Sequence, residues 1–219
     1  MADRWSERIF GEDSGFSRLM NLLFDILYVG ILWLLGCIPI ITAGASTTAA
    51  YYAMAKCVRH KTGYIGREYL HGFRENFRQM LTLTLLFLAV CAVLAIDIVY
   101  VWQQEGSFFS ALFVILTFVS FLTAGMAIYA CPLLSRFHKR NTELLRTALY
   151  VLFRFLPFTV LLLVLSAAAC LGVYLMPWAV FVIPGLYLYG LSFPMERVLR
   201  HLTPPVDEES EEGQKWYYQ

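Results

Sequence analysis

The run Met80-LTLTLLFLAVCAVLAIDIVYV-Trp102 carries one charge, Asp97. It is long enough to cross the roughly 30 Å hydrocarbon core of a bilayer, a task that takes about 20 helical residues. Within lipid, each backbone N–H and C=O must find its partner inside the segment, so an apolar run of this length reads as a spanning helix. Working outward, the same reading fits Leu19 to Ile41, Phe108 to Leu134, Ala148 to Leu171 and Trp178 to Met195. Composition agrees. Of 219 residues, 59% are hydrophobic and 15% charged, against roughly 45–50% and about 25% in soluble domains. Polar side chains are too few to cover a water-facing surface, and the apolar excess equally excludes a disordered chain.

One segment is ambiguous. Ile40 to Cys57 is rich in Ala, Thr and Tyr and has no charge before Lys56. It reads either as a weakly hydrophobic span enclosed by other helices or as an interfacial or re-entrant segment. Basic residues collect on the cytoplasmic side of membrane proteins. Six segments with the N-terminus inside put Arg4, Arg8, Arg18, the cluster from Lys56 to Arg78, the cluster from Arg136 to Arg146, Arg197 and Arg200 all on that side. Five segments move Arg4, Arg8 and Arg18 outside. The expected fold is therefore an all-α polytopic transmembrane bundle of about six segments, with five as the alternative. Residues 1–203 are expected to form one membrane domain, and 204–219 an acidic, disordered cytoplasmic tail. The first apolar run exceeds the 7–15 residues of a signal-peptide core, so a cleaved leader is not expected.

Between the second and third segments, Tyr69, Leu70, Phe73, Phe77, Met80 and Leu81 recur at helical spacing, while Arg67, Glu68, Arg74, Glu75 and Arg78 lie mostly elsewhere on the wheel. This predicts an amphipathic helix at the cytoplasmic interface that feeds into the third span. It is held by anionic lipid, or else it docks a partner through Tyr69, Phe73, Arg74, Asn76 and Phe77. Ionisable residues inside spans are costly and are candidates for function by default. Asp25 shares a helix face with Asn21 and Tyr28, a polar stripe expected to face the bundle. Arg154 sits at a similar depth, where a pair with Asp25 is geometrically feasible. Asp97 lies near the outer end of the third span, within reach of headgroup water.

Soluble chemistry has no foothold. The cysteines are odd in number and mostly set in apolar runs, and the histidines show no ligand spacing, so neither a disulfide framework nor a metal site is expected. There is no phosphate-binding loop, nucleophile elbow or HExxH motif, and no chain of acids or histidines that could relay protons. An enzyme, a cofactor and a nucleic-acid partner are all unexpected; the basic clusters are explained by topology. Pro132, Pro157, Pro177 and Pro184 mark helix boundaries or kinks.

The stretch Cys37-IPIITAGASTTAAY-Tyr52, followed by Arg59, Gly63 and Phe73-Arg74-Glu75-Asn76-Phe77, resembles the YesL family of bacterial integral membrane proteins, a domain of unknown function. The resemblance is carried by a turn motif at Pro39, Thr42, Gly44 and Thr47, then by Ala49-Ala50-Tyr51-Tyr52 and the Phe-Arg-Glu-Asn-Phe entry to the next span. It implies a multi-pass protein of the bacterial plasma membrane acting as an accessory or scaffold subunit of a carbohydrate ABC uptake system; the six-segment charge count puts both termini in the cytoplasm. ABC permease or ATPase subunits are the implied partners; the apolar composition adds the lipid bilayer, and a second copy of the chain is a further candidate. The alternatives are an independent channel or transporter for small solutes, and a membrane structural or regulatory protein.

Overall fold

The computed structural model describes residues 15–137 and 140–202, which form seven α-helices with no strand among them. Helix α1 (Gly15–Gly36) carries the first apolar run. It ends ahead of Pro39, and the Thr42 hydroxyl closes the turn by donating to the carbonyls of Gly36 at 2.7 Å and Pro39 at 2.8 Å. A 3-10 turn (Ile40–Thr42) leads into α2 (Ala43–Ala53), which widens into a π turn (Met54–Arg59). Lys61 and Gly63, both at positive φ, then turn the chain into α3 (Ile65–Trp102).

At 38 residues, α3 is about 57 Å long at ~1.5 Å per residue. The expected interfacial helix and third span are one continuous rod. Arg67, Glu68, Arg74, Glu75 and Arg78 occupy its first four turns, and the uncharged run follows. After Gly106, α4 (Ser107–Arg136) returns alongside it. Next come α5 (Asn141–Arg154), α6 (Leu156–Leu175), a second 3-10 turn (Pro177–Phe181) and α7 (Ile183–Leu202).

Among the described residues, the long apolar helices number fewer than the six expected segments. Four helices are long and apolar enough to cross a membrane: Phe16–Gly36, Ile65–Trp102, Ser107–Arg136 and Leu156–Leu175. Two expected spans miss the criterion for physical reasons. Helix α2 is short and carries Ser46, Thr47 and Thr48, and α7 carries Glu196, Arg197 and Arg200. The expected span Ala148 to Leu171 is also broken, at Phe155 (φ −120°, ψ 42°). Pro157 lacks an N–H and restricts the residue before it, so the helix restarts. The Thr159 hydroxyl lies 3.2 Å from the Leu152 carbonyl across the break and 3.1 Å from the Tyr129 hydroxyl. The N-terminal arginines Arg4 and Arg8 and the acidic tail expected over 204–219 lie outside the described residues.

Helix α2 is the hub. Ala45, Ser46, Thr48, Ala49, Ala50, Tyr51 and Ala53 are buried, and α1, α3, α4 and α7 all pack on it. Small side chains allow this crowding, as at other close helix contacts in membranes. At Gly185 the approach of α7 to α1 is so close that a Cβ would stand 2.2 Å from the Ile26 carbonyl oxygen. The α3–α4 pair leaves this hub where Thr84 and Cys131 meet Gly44. Beyond that level, within residues 85–124, only Leu94 and Val101 are buried. The rest of this arm presents an exposed apolar surface, with Ile96 at 70% and Val114 at 66% exposure. Water does not tolerate contiguous apolar surface on this scale, and lipid does.

Candidate functional site: a buried ionic network beside the π turn

The most polar part of the interior lies where α2, the π turn, α4 and α7 converge. Glu196 of α7 is 5% exposed and Arg136, the last residue of α4, is 6% exposed. The Arg136 guanidinium donates to the Glu196 carboxylate through Nη2. The fully buried Tyr51 hydroxyl donates to the other carboxylate oxygen at 3.1 Å. One carboxylate thereby ties together α2, α4 and α7. A buried ion pair gains its Coulomb energy only against a desolvation cost of several kcal/mol per ion, so its partners have to be placed well.

The π turn supplies the flanking cations. A π turn adds a residue to the helical circuit and is often found at functional sites. Here it aims two basic side chains at different neighbours. Arg59 donates to the Ser192 carbonyl of α7 at 2.7 Å and lies 4.7 Å from the centre of the Phe193 ring. Lys56 pairs with Glu68 of α3 at 2.8 Å and donates to the Tyr52 hydroxyl at 3.2 Å. His60, just past the turn, is held below the usual histidine pKa chiefly by burial; Arg59, Arg136 and Arg200 add to this and Glu196 opposes it. Among the described residues, the hydrogen-bond partners of the Glu196 carboxylate are an arginine and a phenol. The arrangement joins helices and fixes their register.

The residues singled out from sequence are distributed differently. Tyr69 and Asn76, expected on a docking face, are buried. The Tyr69 hydroxyl meets the Ser46 hydroxyl at 3.0 Å, and Asn76 donates to the Gly72 carbonyl. Phe73 and Phe77 are half-buried and pack on the core, with Tyr69, Phe73 and Phe77 in ring contact along the helix. Arg74 is exposed, together with Arg67, Leu70, His71, Glu75 and Arg78. Five of these, Arg67, Leu70, His71, Arg74 and Glu75, line a shallow surface depression.

The polar stripe of α1 does not turn inward. Asn21 is exposed, Asp25 half-buried and Tyr28 44% exposed, and the core face consists of Ile26, Val29 and Gly30. Branched and small side chains fit against α7 there, and a polar stripe would not. Among the described residues no ion pair joins Asp25 to Arg154. Arg154 is exposed at the end of α5, with its guanidinium 5.9 Å from the Phe155 ring centre. Asp97 is exposed near the end of α3. The motif turn is structural: Pro39 starts the 3-10 turn, Thr42 closes it, Gly44 abuts Met80 and Thr84, and the Thr47 hydroxyl accepts from Trp33 Nε1 at 3.0 Å.

Sequence reading missed the network because Arg136 and Glu196 each sit at the end of an apolar run, where a charge is ordinarily read as a topology signal. It also missed α5, whose Leu144, Ala148, Val151 and Leu152 are buried while Glu143 and Arg146 are exposed. That spacing is visible in the sequence, but the apolar run that follows masks it.

No curated protein and no solved structure matches the chain. A family match does exist, and it falls on the hub: residues 26–98, from mid-α1 through α2, the π turn and most of α3, match the family described as a protein of unknown function, DUF624, the YesL-type domain.

Proposed function

We propose that this chain is a multi-pass protein of the bacterial plasma membrane, without catalytic activity of its own, that serves as an accessory or scaffold subunit of a carbohydrate ABC uptake system. The observation that carries the docking part of this reading is the division of labour along the first four turns of α3. Tyr69, Phe73, Asn76 and Phe77 hold the helix to the bundle, while Arg67, Leu70, Arg74 and Arg78 stay exposed on its other side. Basic on balance, with three arginines against the exposed Glu75 and with Leu70 as its apolar residue, this strip suits an acidic, partly apolar patch on a cytoplasmic or permease partner. The carbohydrate link rests on the resemblance of the Pro39 to Phe77 stretch.

Orientation follows from charge. With α1, α3, α4 and α6 as the only crossings, the Lys56 to Arg78 and Arg136 to Arg146 clusters would face away from Arg18, Arg197 and Arg200. Adding α2, enclosed by protein, and α7 brings every cluster to one side together with both termini, as the distribution of basic residues in membrane proteins favours. The transporter alternative has lost the Asp25 and Arg154 pair that would have supported it.

The test is affinity purification from the native membrane in mild detergent, comparing wild type with Arg74→Glu and Leu70→Asp. ABC permease or ATPase subunits should co-purify with wild type and be lost from both variants while insertion stays intact. Recovery of the chain alone or as a homo-oligomer, or partners unaffected by either change, would reject the assignment.

A further inference from the structure

A cavity of about 430 Å³ lies between α1, α2, α6 and α7, bounded by Trp33, Thr47, Ser166, Ala169, Cys170 and Tyr187 among others. None of its lining residues carries a charge, and its wall is overwhelmingly apolar. The few polar groups are already engaged. Trp33 Nε1 donates to the Thr47 hydroxyl, which donates to the Ala43 carbonyl at 2.7 Å. The Tyr187 and Ser166 hydroxyls are 2.8 Å apart, and Ser166 donates to the Leu162 carbonyl at 2.7 Å. An occupant finds no free N–H or O–H donor here, and only a few hydroxyl lone pairs.

That chemistry selects among the available occupants. A sugar or another hydroxylated solute would leave most of its own donors and acceptors unpaired, at about 1–3 kcal/mol each. Water needs two to four polar partners to stay in a cavity, which this wall does not offer. The volume is nearly three times that of an apolar cavity of about 150 Å³ that admits benzene, enough for roughly a dozen or more chain carbons. The cavity opens at the surface of α6, a spanning helix, where Cys170 is exposed. Leu171 and Tyr174 continue that exposed surface toward the end of the helix, and the exposed Trp178 follows in the 3-10 turn. Tyr and Trp in such positions mark the interface between hydrocarbon and headgroups. We propose that this cavity binds one acyl chain of a bilayer lipid, which enters from the side along α6. This site goes beyond the docking role proposed above and does not depend on it.

The experiment uses the full chain with Trp33 as its only tryptophan (Trp5, Trp102, Trp178 and Trp216 changed to Phe). The protein is reconstituted in vesicles of phosphatidylglycerol and phosphatidylethanolamine with or without bromine on the acyl chains. Bromine quenches tryptophan on contact, so Trp33 emission should fall by about two-fold or more in brominated vesicles. It should be largely insensitive to acrylamide in the water. Ala169→Phe and Val173→Phe, which fill the cavity by two routes, should each restore most of the emission. Quenching by acrylamide in place of bromolipid would identify a water-filled site and overturn the proposal. Quenching by neither agent, or equal bromolipid quenching in the filled variants, would overturn it as well, because Trp33 would then be shielded or would report only bulk lipid.

Discussion

The hub around α2 and the arm formed by residues 85–124 are opposite solutions to packing helices in a membrane. In the hub, polar and charged groups are buried or half-buried and paired: Glu196 with Arg136 and Tyr51, the half-buried Lys56 with Glu68, and Ser46 with Tyr69. In the arm, long apolar side chains are exposed and two helices touch little but each other. The hub gets its specificity from directional contacts that tolerate few alternatives. The arm depends on its surroundings being as apolar as itself, since lipid tails give apolar helices no reason to hide from solvent. A polar interior and an apolar exterior within one chain are what a bilayer solvent requires.

The comparison can be broken first at the ion pair. Arg136→Leu or Glu196→Leu strands the opposite charge in the interior and should cost about 3–5 kcal/mol, while the double replacement should recover most of that loss. Thermal unfolding in detergent reads both, and equal losses from single and double variants would mean that the pair is not buried as described. A charge in the arm comes next. Ile115→Arg should weaken insertion by about 2.5–3.5 kcal/mol, measurable as the membrane-integrated fraction of the α4 segment. Smaller again is Tyr51→Phe, which removes one hydrogen bond to Glu196 and leaves the ion pair intact. A loss of about 1.5–3 kcal/mol in the same unfolding assay is expected, because the bond lost is to a charged group. The smallest effect belongs to Val114→Ala in the arm, which should stay within about 0.5 kcal/mol because the residue is packed against little protein.

The same contrast explains what could be read from sequence. The arm was legible almost to the residue, because a long uncharged run has one structural meaning in lipid. The enclosed position of α2 was also legible, from Ser46, Thr47 and Thr48 set among alanines. The break at Phe155 was not, although Pro157 signalled it, because the apolar pattern runs straight through. Nor was the ionic network: Arg136 and Glu196 lie 60 positions apart, and only the packing of α4 against α2 and α7 brings them together. Periodicity identified the amphipathic start to α3 and put Tyr69 on its apolar face, but the docking role expected of Tyr69 and Asn76 needs them exposed, and both are buried. Their hydroxyl and amide find partners in the Ser46 side chain and the Gly72 carbonyl, so a polar atom did not mean a wet face.

The central claim is that the exposed arm is solvated by lipid while the exposed face at the start of α3 is solvated by water. Cys91, exposed in the arm, supplies a native probe. In a chain with Cys37, Cys57, Cys131 and Cys170 replaced by Ala, the decisive measurement is the rate of labelling by a water-soluble maleimide in permeabilised membranes. It is taken once with Cys91 as the sole thiol and once with Cys91 replaced by Ala and Arg74→Cys introduced. The account predicts prompt labelling at position 74 and almost none at Cys91, with Cys91 reacting only after the bilayer is dissolved in a denaturing detergent. Labelling of Cys91 as fast as position 74 in intact bilayers would place the arm in water and contradict it.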